Sequence, residues 1–297
     1  MRYIEKAEGQ PDCIRDFFSI QFSSRTENPD ISPQVYAVDY GAFGSGFEGH
    51  EKPKEELMKV LLKEQGGLCA YTGTGIDDRL PKGNSSEIQQ GISDSGDAVV
   101  DSSGEVVDTN EVDSASKKQD RKPSPRCYKP HIEHLKPQSL CKGELRDTGR
   151  EVGIDVGEDM DYHNMVGALE VGGSEGEHFG AVARKNALLP VLPTQPDCEA
   201  HFSFDVDGNI KANDEEGKRA IDILRLDHKI LTGWRRGAID GWMKDEIVND
   251  DGSVEDISFT NEELREHLTN VCVSENDRFE EFCYAIASAI KNELGIV

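Results

Sequence analysis

Between residues 77 and 126 the chain changes character, and this constrains the fold more than any other feature of the sequence. Ser, Asp and Gly dominate the stretch; Gly91 to Ser116 carries seven acids and no base, interrupted by little more than Val99-Val100 and Val106-Val107. Such a segment cannot bury enough apolar surface to offset the entropy of ordering its backbone. It is expected to be a disordered acidic insertion in a loop, closed by the basic run Lys117-Lys-Gln-Asp-Arg-Lys-Pro-Ser-Pro-Arg126. A tail that folds onto a basic partner surface is the other reading of that run, and a solvated loop is favoured over it. The ordered fold must then be built from what flanks the insertion.

What flanks it is sufficient for a real core, because 297 residues allow one large domain or two small ones. No run approaches the roughly 20 apolar residues of a membrane span. The start, Met1-Arg-Tyr-Ile-Glu-Lys, lacks an apolar signal core, which implies a cytoplasmic protein. Seven scattered cysteines with no CxxC pair fit reduced thiols better than a disulfide framework. The net charge of −25 argues against a protein that grips nucleic acid unaided, since phosphate neutralisation supplies most of such affinity. Three explanations stay open: a substrate other than nucleic acid, a basic partner that delivers it, or adaptation to a salty habitat.

The division expected is an N-terminal helical segment (1–76), the acidic insertion (77–126), a motif-bearing region (127–190) and a hairpin plus helical part (191–297) packed with the rest as one domain. Pro53 to Gly66 reads as a helix: apolar residues at 57, 58, 60, 61 and 62, early acids, late lysines and a closing Gly-Gly. Phe202 and Phe204 alternate with polar residues before Asp207-Gly208-Asn209, which predicts a hairpin. Asp205 and Asp207 before a glycine lack the later ligands of a calcium loop, so a plain turn is the reading. Glu216 to Met243 reads as a helix broken near Asp227, with Arg235-Arg236 on a solvated face favoured over a phosphate or partner contact. Asp277 to Leu294 reads as a final core helix.

The chemistry concentrates in three short runs: His131-Ile-Glu-His134-Leu-Lys-Pro137, Asp161-Tyr-His-Asn164, and His178 through Arg184, Lys185 and Asn186. Hydrolysis of a phosphodiester needs a deprotonated water, neutralised phosphate charge and a stabilised leaving oxygen. A histidine near neutral pKa can supply the first, and a divalent metal held by few protein ligands the others. Period-2 alternation puts Glu133 and His134 on opposite faces of a strand unless a twist at its end, before Pro137, brings both to one site. Chance surface histidines would explain His131 or His163 singly, but the clustering with Glu133, Asn164 and Lys185 favours a shared site.

At these residues the chain resembles the HNH endonucleases of the ββα-metal fold, and more narrowly the HNH (PtuB-like) subunit of Septu-type and retron-associated antiphage defence systems. The resemblance rests on Met1-Arg-Tyr-Ile-Glu-Lys, Glu64-Gln-Gly-Gly-Leu-Cys-Ala-Tyr71, Ile132-Glu-His-Leu-Lys-Pro137, Asp161-Tyr-His-Asn-Met165 and Glu175-Gly-Glu-His-Phe-Gly180, and runs nearly end to end. It implies an α+β, mainly helical protein carrying a small ββα-metal motif. It implies His134 as general base, Glu133 as metal ligand, and Asn164 as the residue holding the loop that orients His134. His178 would be the second metal-side residue, with Asn186 as alternate, and Arg184 and Lys185 would contact phosphate. The metal would be Mg²⁺ or Mn²⁺. Relatives carry two cysteine pairs that bind structural zinc; here only Cys69 remains, with Thr72, Leu169 and Phe179 at the other positions, so no structural zinc is expected. Cys127 and Cys141 could be recruited, but buried thiols are favoured. The implied partners are a PtuA-like SMC/ABC-type ATPase, a retron reverse transcriptase with its msDNA, and the nucleic-acid substrate; no membrane is involved. The alternatives are a decayed HNH scaffold or regulatory subunit, motivated by the lost cysteines, and an acidic nucleic-acid mimic, motivated by the charge.

Overall fold

The computed structural model describes residues 1–76, 129–171, 174–249 and 253–296. The acidic insertion, its basic closing run and Cys127 lie outside the described residues. The architecture is mixed α+β, and the described residues form three separate two-stranded antiparallel sheets among the helices.

The centre is the hairpin of β1 (Lys129–His134) and β2 (Met165–Glu170), paired so that Glu133 faces Val166 and His134 faces Met165. β2 is buried from Met165 to Leu169, because α3 (Pro53–Glu64) lies across the hairpin. Leu57, Leu61 and Leu62 of α3 are the apolar face read from the sequence, and they join Ile132, Val166 and Leu169 in one core. α3 ends where expected, with Gly66 at φ +61°; a Cβ there would sit 2.0 Å from the Phe279 ring.

Buried Gln65, just past α3, ties it to β2. Its Nε2 donates to the carbonyls of Leu68 (2.7 Å) and Gly167 (2.8 Å), and its Oε1 accepts the Gly167 N–H at 2.6 Å. The side-chain amide thus does for the outer edge of β2 what a third strand would do. Gly167 is glycine because a Cβ would meet Leu62 at 3.1 Å and this amide at 3.3 Å. Gln65→Leu would leave the Gly167 N–H buried without its partner. It is expected to lower the free energy of unfolding in urea by about 3 kcal/mol.

Around this centre, α1 (Asp12–Glu27) packs on α3, and α2 (Tyr40–Phe43) sets the Phe43 ring edge-on to Phe17. α4 (Gln138–Asp147) follows β1 directly, and the single turn α5 (Ala181–Arg184) follows β2. The expected hairpin is β3 (Phe202–Phe204) with β4 (Ile210–Ala212), and the expected break separates α6 (Glu215–Leu224) from α7 (Lys229–Met243), with Arg225 left-handed at φ 49°.

Four elements depart from the sequence reading or were absent from it. Arg235 is not on a solvated face: it is 1% exposed, beside the Phe204 ring, while Arg236 is outside and pairs with Asp240. The final helix α9 (Cys283–Glu293) begins six residues later than expected. Residues 277–282 instead form backbone bonds to the α3–β1 region, Phe279 N–H to Gly66 O and Phe282 N–H to Gly73 O. A hairpin of β5 (Lys244–Val248) and β6 (Val254–Ser258) and the helix α8 (Asn261–Asn270) complete the chain. α7, α8 and α9 enclose a second, smaller core around Ile239, Leu264 and Ile286. Among the described residues no helix is long and apolar enough to cross a membrane.

Candidate active site

β1 delivers Glu133 and His134 to the floor of a cleft of about 860 Å³. Strand alternation alone would separate them. Both reach the cleft because His134 is the last paired residue of β1, where the chain turns through Leu135 to Pro137, the residue that opens α4. α3 and Tyr40 form one wall, the start of α4 another, and Lys185 and Asn186 approach from beyond α5.

His134 is 5% exposed and held on three sides. Its Nε2 lies 3.0 Å from the Asp159 carbonyl oxygen, which can only accept, so the proton belongs on Nε2 and the lone pair on Nδ1. Tyr40 packs edge-on against the ring, with centroids 4.6 Å apart. Gln138 Nε2 lies 3.4 Å from Nδ1. Burial pushes the imidazole pKa below its ordinary 6.5, outweighing the opposing pull of the Asp159 carbonyl. At pH 7 the ring is therefore neutral, with a basic nitrogen beside the cleft.

Glu133 is anchored by Arg184, whose side chain is fully buried. Arg184 Nη1 donates to Glu133 Oε1 (2.5 Å), Tyr71 Oη (3.0 Å) and the His134 carbonyl (2.8 Å). Nη2 reaches the Leu135 carbonyl at 2.5 Å and Nε the Ala187 carbonyl at 2.8 Å. Arg184 is therefore not placed to contact phosphate. It fixes the end of β1 and the Glu133 carboxylate instead, and its lost hydration is offset because the planar fork meets an anion and three carbonyls. The second carboxylate oxygen, Oε2, is 3.2 Å from His131 Nε2. His131 and Glu133, two apart on one strand, share the cleft-facing side.

Asn164 does not reach the cleft. Its Oδ1 accepts the Lys136 N–H at 2.7 Å, and its Nδ2 donates to the carbonyls of Lys136 (3.1 Å) and Glu158 (3.0 Å). It thus staples the turn after β1 to the Glu158–Met160 turn, which carries the Asp159 carbonyl that holds His134. Asn164→Asp would aim a carboxylate at two carbonyls. It is expected to cost about 2 kcal/mol of stability, read as a lower thermal midpoint than the wild type.

The remaining expected residues separate. Asn186 and Lys185 line the cleft, with Lys185 paired to Glu175 at 2.6 Å. His178 does not line it and closes the Glu175–Glu177 turn, away from Glu133. At the positions of the lost zinc ligands, buried Cys69 Sγ accepts the Leu169 N–H at 3.4 Å, and Leu169 and Phe179 lie in the same apolar core. Thr72 is buried against Thr74. Cys141 is a buried thiol. Sequence reasoning missed Tyr40, Gln138 and the lysines of the α3 wall. Nothing local signalled the last, since α3 carries as many glutamates as lysines.

No protein-family model matches the chain, and a search of curated proteins finds no match.

Proposed function

We propose that the chain is a metal-dependent endonuclease of the HNH type, hydrolysing nucleic-acid phosphodiester bonds. The observation that carries the reading is His134: a buried, neutral imidazole with its Nε2 proton committed to a carbonyl and its Nδ1 lone pair beside a cleft. That is the state a general base needs, and the Asp159 carbonyl would stabilise the imidazolium formed when Nδ1 takes a proton from water. The order β1, β2, then the single turn α5, with Glu133 and His134 ending the first strand, supports the ββα reading.

Glu133 Oε2 and His131 Nε2, 3.2 Å apart on the cleft side, are the donors that suit a divalent ion. Among the described residues no group of three or more His, Cys, Asp or Glu side chains gathers to hold a metal. A small donor set still fits Mg²⁺ or Mn²⁺, which keep several waters and take further oxygens from substrate phosphates. Such an ion would supply charge neutralisation at the phosphate and the leaving oxygen. Of the two expected metal-side residues, Asn186 lines the same cleft and His178 does not.

The biological reading follows from the resemblance: an effector subunit of an antiphage complex, working with a PtuA-like ATPase and, in retron systems, with the reverse transcriptase and its msDNA. A partner that presents nucleic acid also meets the charge of −25. The scaffold reading keeps one specific support, because the Glu133–Arg184 pair is what a purely structural ion pair looks like. Incubating the full chain with plasmid DNA and with RNA in Mg²⁺ or Mn²⁺ separates them. Cleavage that EDTA abolishes is expected; intact substrate of both kinds, with the ATPase co-expressed, favours the scaffold.

A further inference from the structure

The net charge of −25 makes one surface of this protein exceptional. Four lysines line the cleft: Lys52, Lys54 and Lys59 from α3 and its N-cap, and Lys185 from the opposite side. Three glutamates line it with them, Glu55, Glu133 and Glu170, and Glu133 already has the buried Arg184 as counter-ion. Lys52 is paired with Glu55 and Lys185 with Glu175, so the cleft is close to balanced in charge on a strongly acidic molecule, and His134 lines it.

Lys52, Lys54 and Lys59 all line one wall of the cleft. Positions 52 and 59 stand seven residues apart, so they share one helical face about 10 Å apart along the axis, at 1.5 Å per residue, while Lys54 is offset round the helix toward Tyr40. Lys54 and Lys59 make no ion pair among the described residues. Lys54 instead rests its ammonium 4.0 Å above the Tyr40 ring, whose edge meets His134. Burial pushes the Lys54 pKa down, because the ammonium has lost part of its hydration, and an anion entering the cleft would offset that loss. A single phosphate needs no such span. Ten ångströms correspond to about three nucleotides of a stacked strand, at 3.4 Å per phosphate.

Resting on the nuclease reading, we propose that Lys52, Lys54 and Lys59 form a track for the phosphates of a nucleic-acid strand. Lys185 bounds the other side, and the strand is laid across His134. The track bears on the charge problem within the chain itself: the bulk field repels nucleic acid, and the lysines of this wall mark where a strand can approach as its phosphates compete with Glu55 for Lys52. The scissile phosphate would sit at the Glu133–His134 end, and phosphates to one side of it on α3.

The test uses the full chain with His134→Ala, to prevent cutting, and a fluorescein-labelled DNA oligonucleotide, single-stranded or duplex, followed by anisotropy. Affinity is measured between about 50 and 200 mM salt, because each phosphate contact contributes its own increment to the salt slope. Adding Lys52→Ala and Lys59→Ala together should weaken binding and flatten the slope of log K against log salt. The expected change is about 1.4 for the single strand or about 1.8 for the duplex, the larger change marking the form the track holds. Both side chains are exposed, Lys52 at 69%, so their removal leaves the fold intact. Lys218→Ala, on α6 away from the cleft, should change nothing. An unchanged slope in the double variant, with His134-dependent cleavage present in the wild type, overturns the track and leaves the nuclease reading standing. An equal change in Lys218→Ala overturns it also. Neither binding nor cleavage by any form defeats the nuclease reading itself, and the track with it.

Discussion

Arg184→Met is expected to destabilise the protein by about 3–5 kcal/mol, the cost of breaking a buried ion pair by removing one partner. The guanidinium touches Glu133, Tyr71 and the carbonyls of His134, Leu135 and Ala187 together. Methionine fills much of the volume but strands a carboxylate that is 12% exposed, along with three carbonyls. Arg184→Lys should rescue little, because one ammonium cannot reproduce a planar fork aimed in three directions. Arg184→Met combined with Glu133→Gln should recover part of the loss, since the stranded charge is then gone. Urea unfolding of the four proteins measures this. A loss under about 1 kcal/mol in Arg184→Met would show that the pair is not the anchor described, given what buried pairs of this kind contribute.

The second large effect is on chemistry. His134→Ala is expected to lower phosphodiester cleavage by about 10²–10⁴-fold, the usual contribution of a positioned general base. Stability should fall by about 1–3 kcal/mol with the fold kept, because the ring is 5% exposed and its removal leaves the Asp159 carbonyl without its donor. Substrate binding should persist, since the cleft-lining lysines are on α3 and at position 185. This separates the two residues: Arg184 acts through the fold, and His134 through the reaction.

How much of this was legible follows from the range of the interactions involved. α3 was readable because its signals are local: Pro53 at the start, acids in the first turn, Lys63 in the last and a positive-φ glycine after it. The β3–β4 hairpin and the α6–α7 break were readable for the same reason, through Asp207-Gly208 and the left-handed Arg225. Arg184 and Arg235 were misread because an arginine in a polar stretch looks exposed. Their burial is decided by partners far along the chain, such as Tyr71, Glu133 and Phe204. Residues 277–282 carry helical spacing, yet the bonds from Phe279 and Phe282 to Gly66 and Gly73 override it. The candidate site divides in the same way. Glu133, His134 and Asn164 are close in sequence or joined by one hairpin register. The lysine wall meets them only because α3 folds across that hairpin, and no local pattern announces it.

His178 and Asn186 show how finely a turn decides a role. Both flank α5, which lasts a single turn between Gly180 at φ 64° and Lys185 at φ 54°. The two reversals send Asn186 toward the cleft and leave His178 with the Glu175–Glu177 turn. A helix of ordinary length would have shown the residues of one face together, and the spacing would then have distinguished the two.

The most direct test of His134 as the base of a hydrolytic centre is a paired measurement on wild type and His134→Ala. Cleavage rate in Mg²⁺ or Mn²⁺ and oligonucleotide binding by anisotropy are recorded on the same preparations, with the ATPase partner co-expressed. The prediction is a cleavage rate reduced by at least about 100-fold with affinity unchanged and the fold retained. Equal cleavage by the two proteins would contradict it and move the chemistry away from β1.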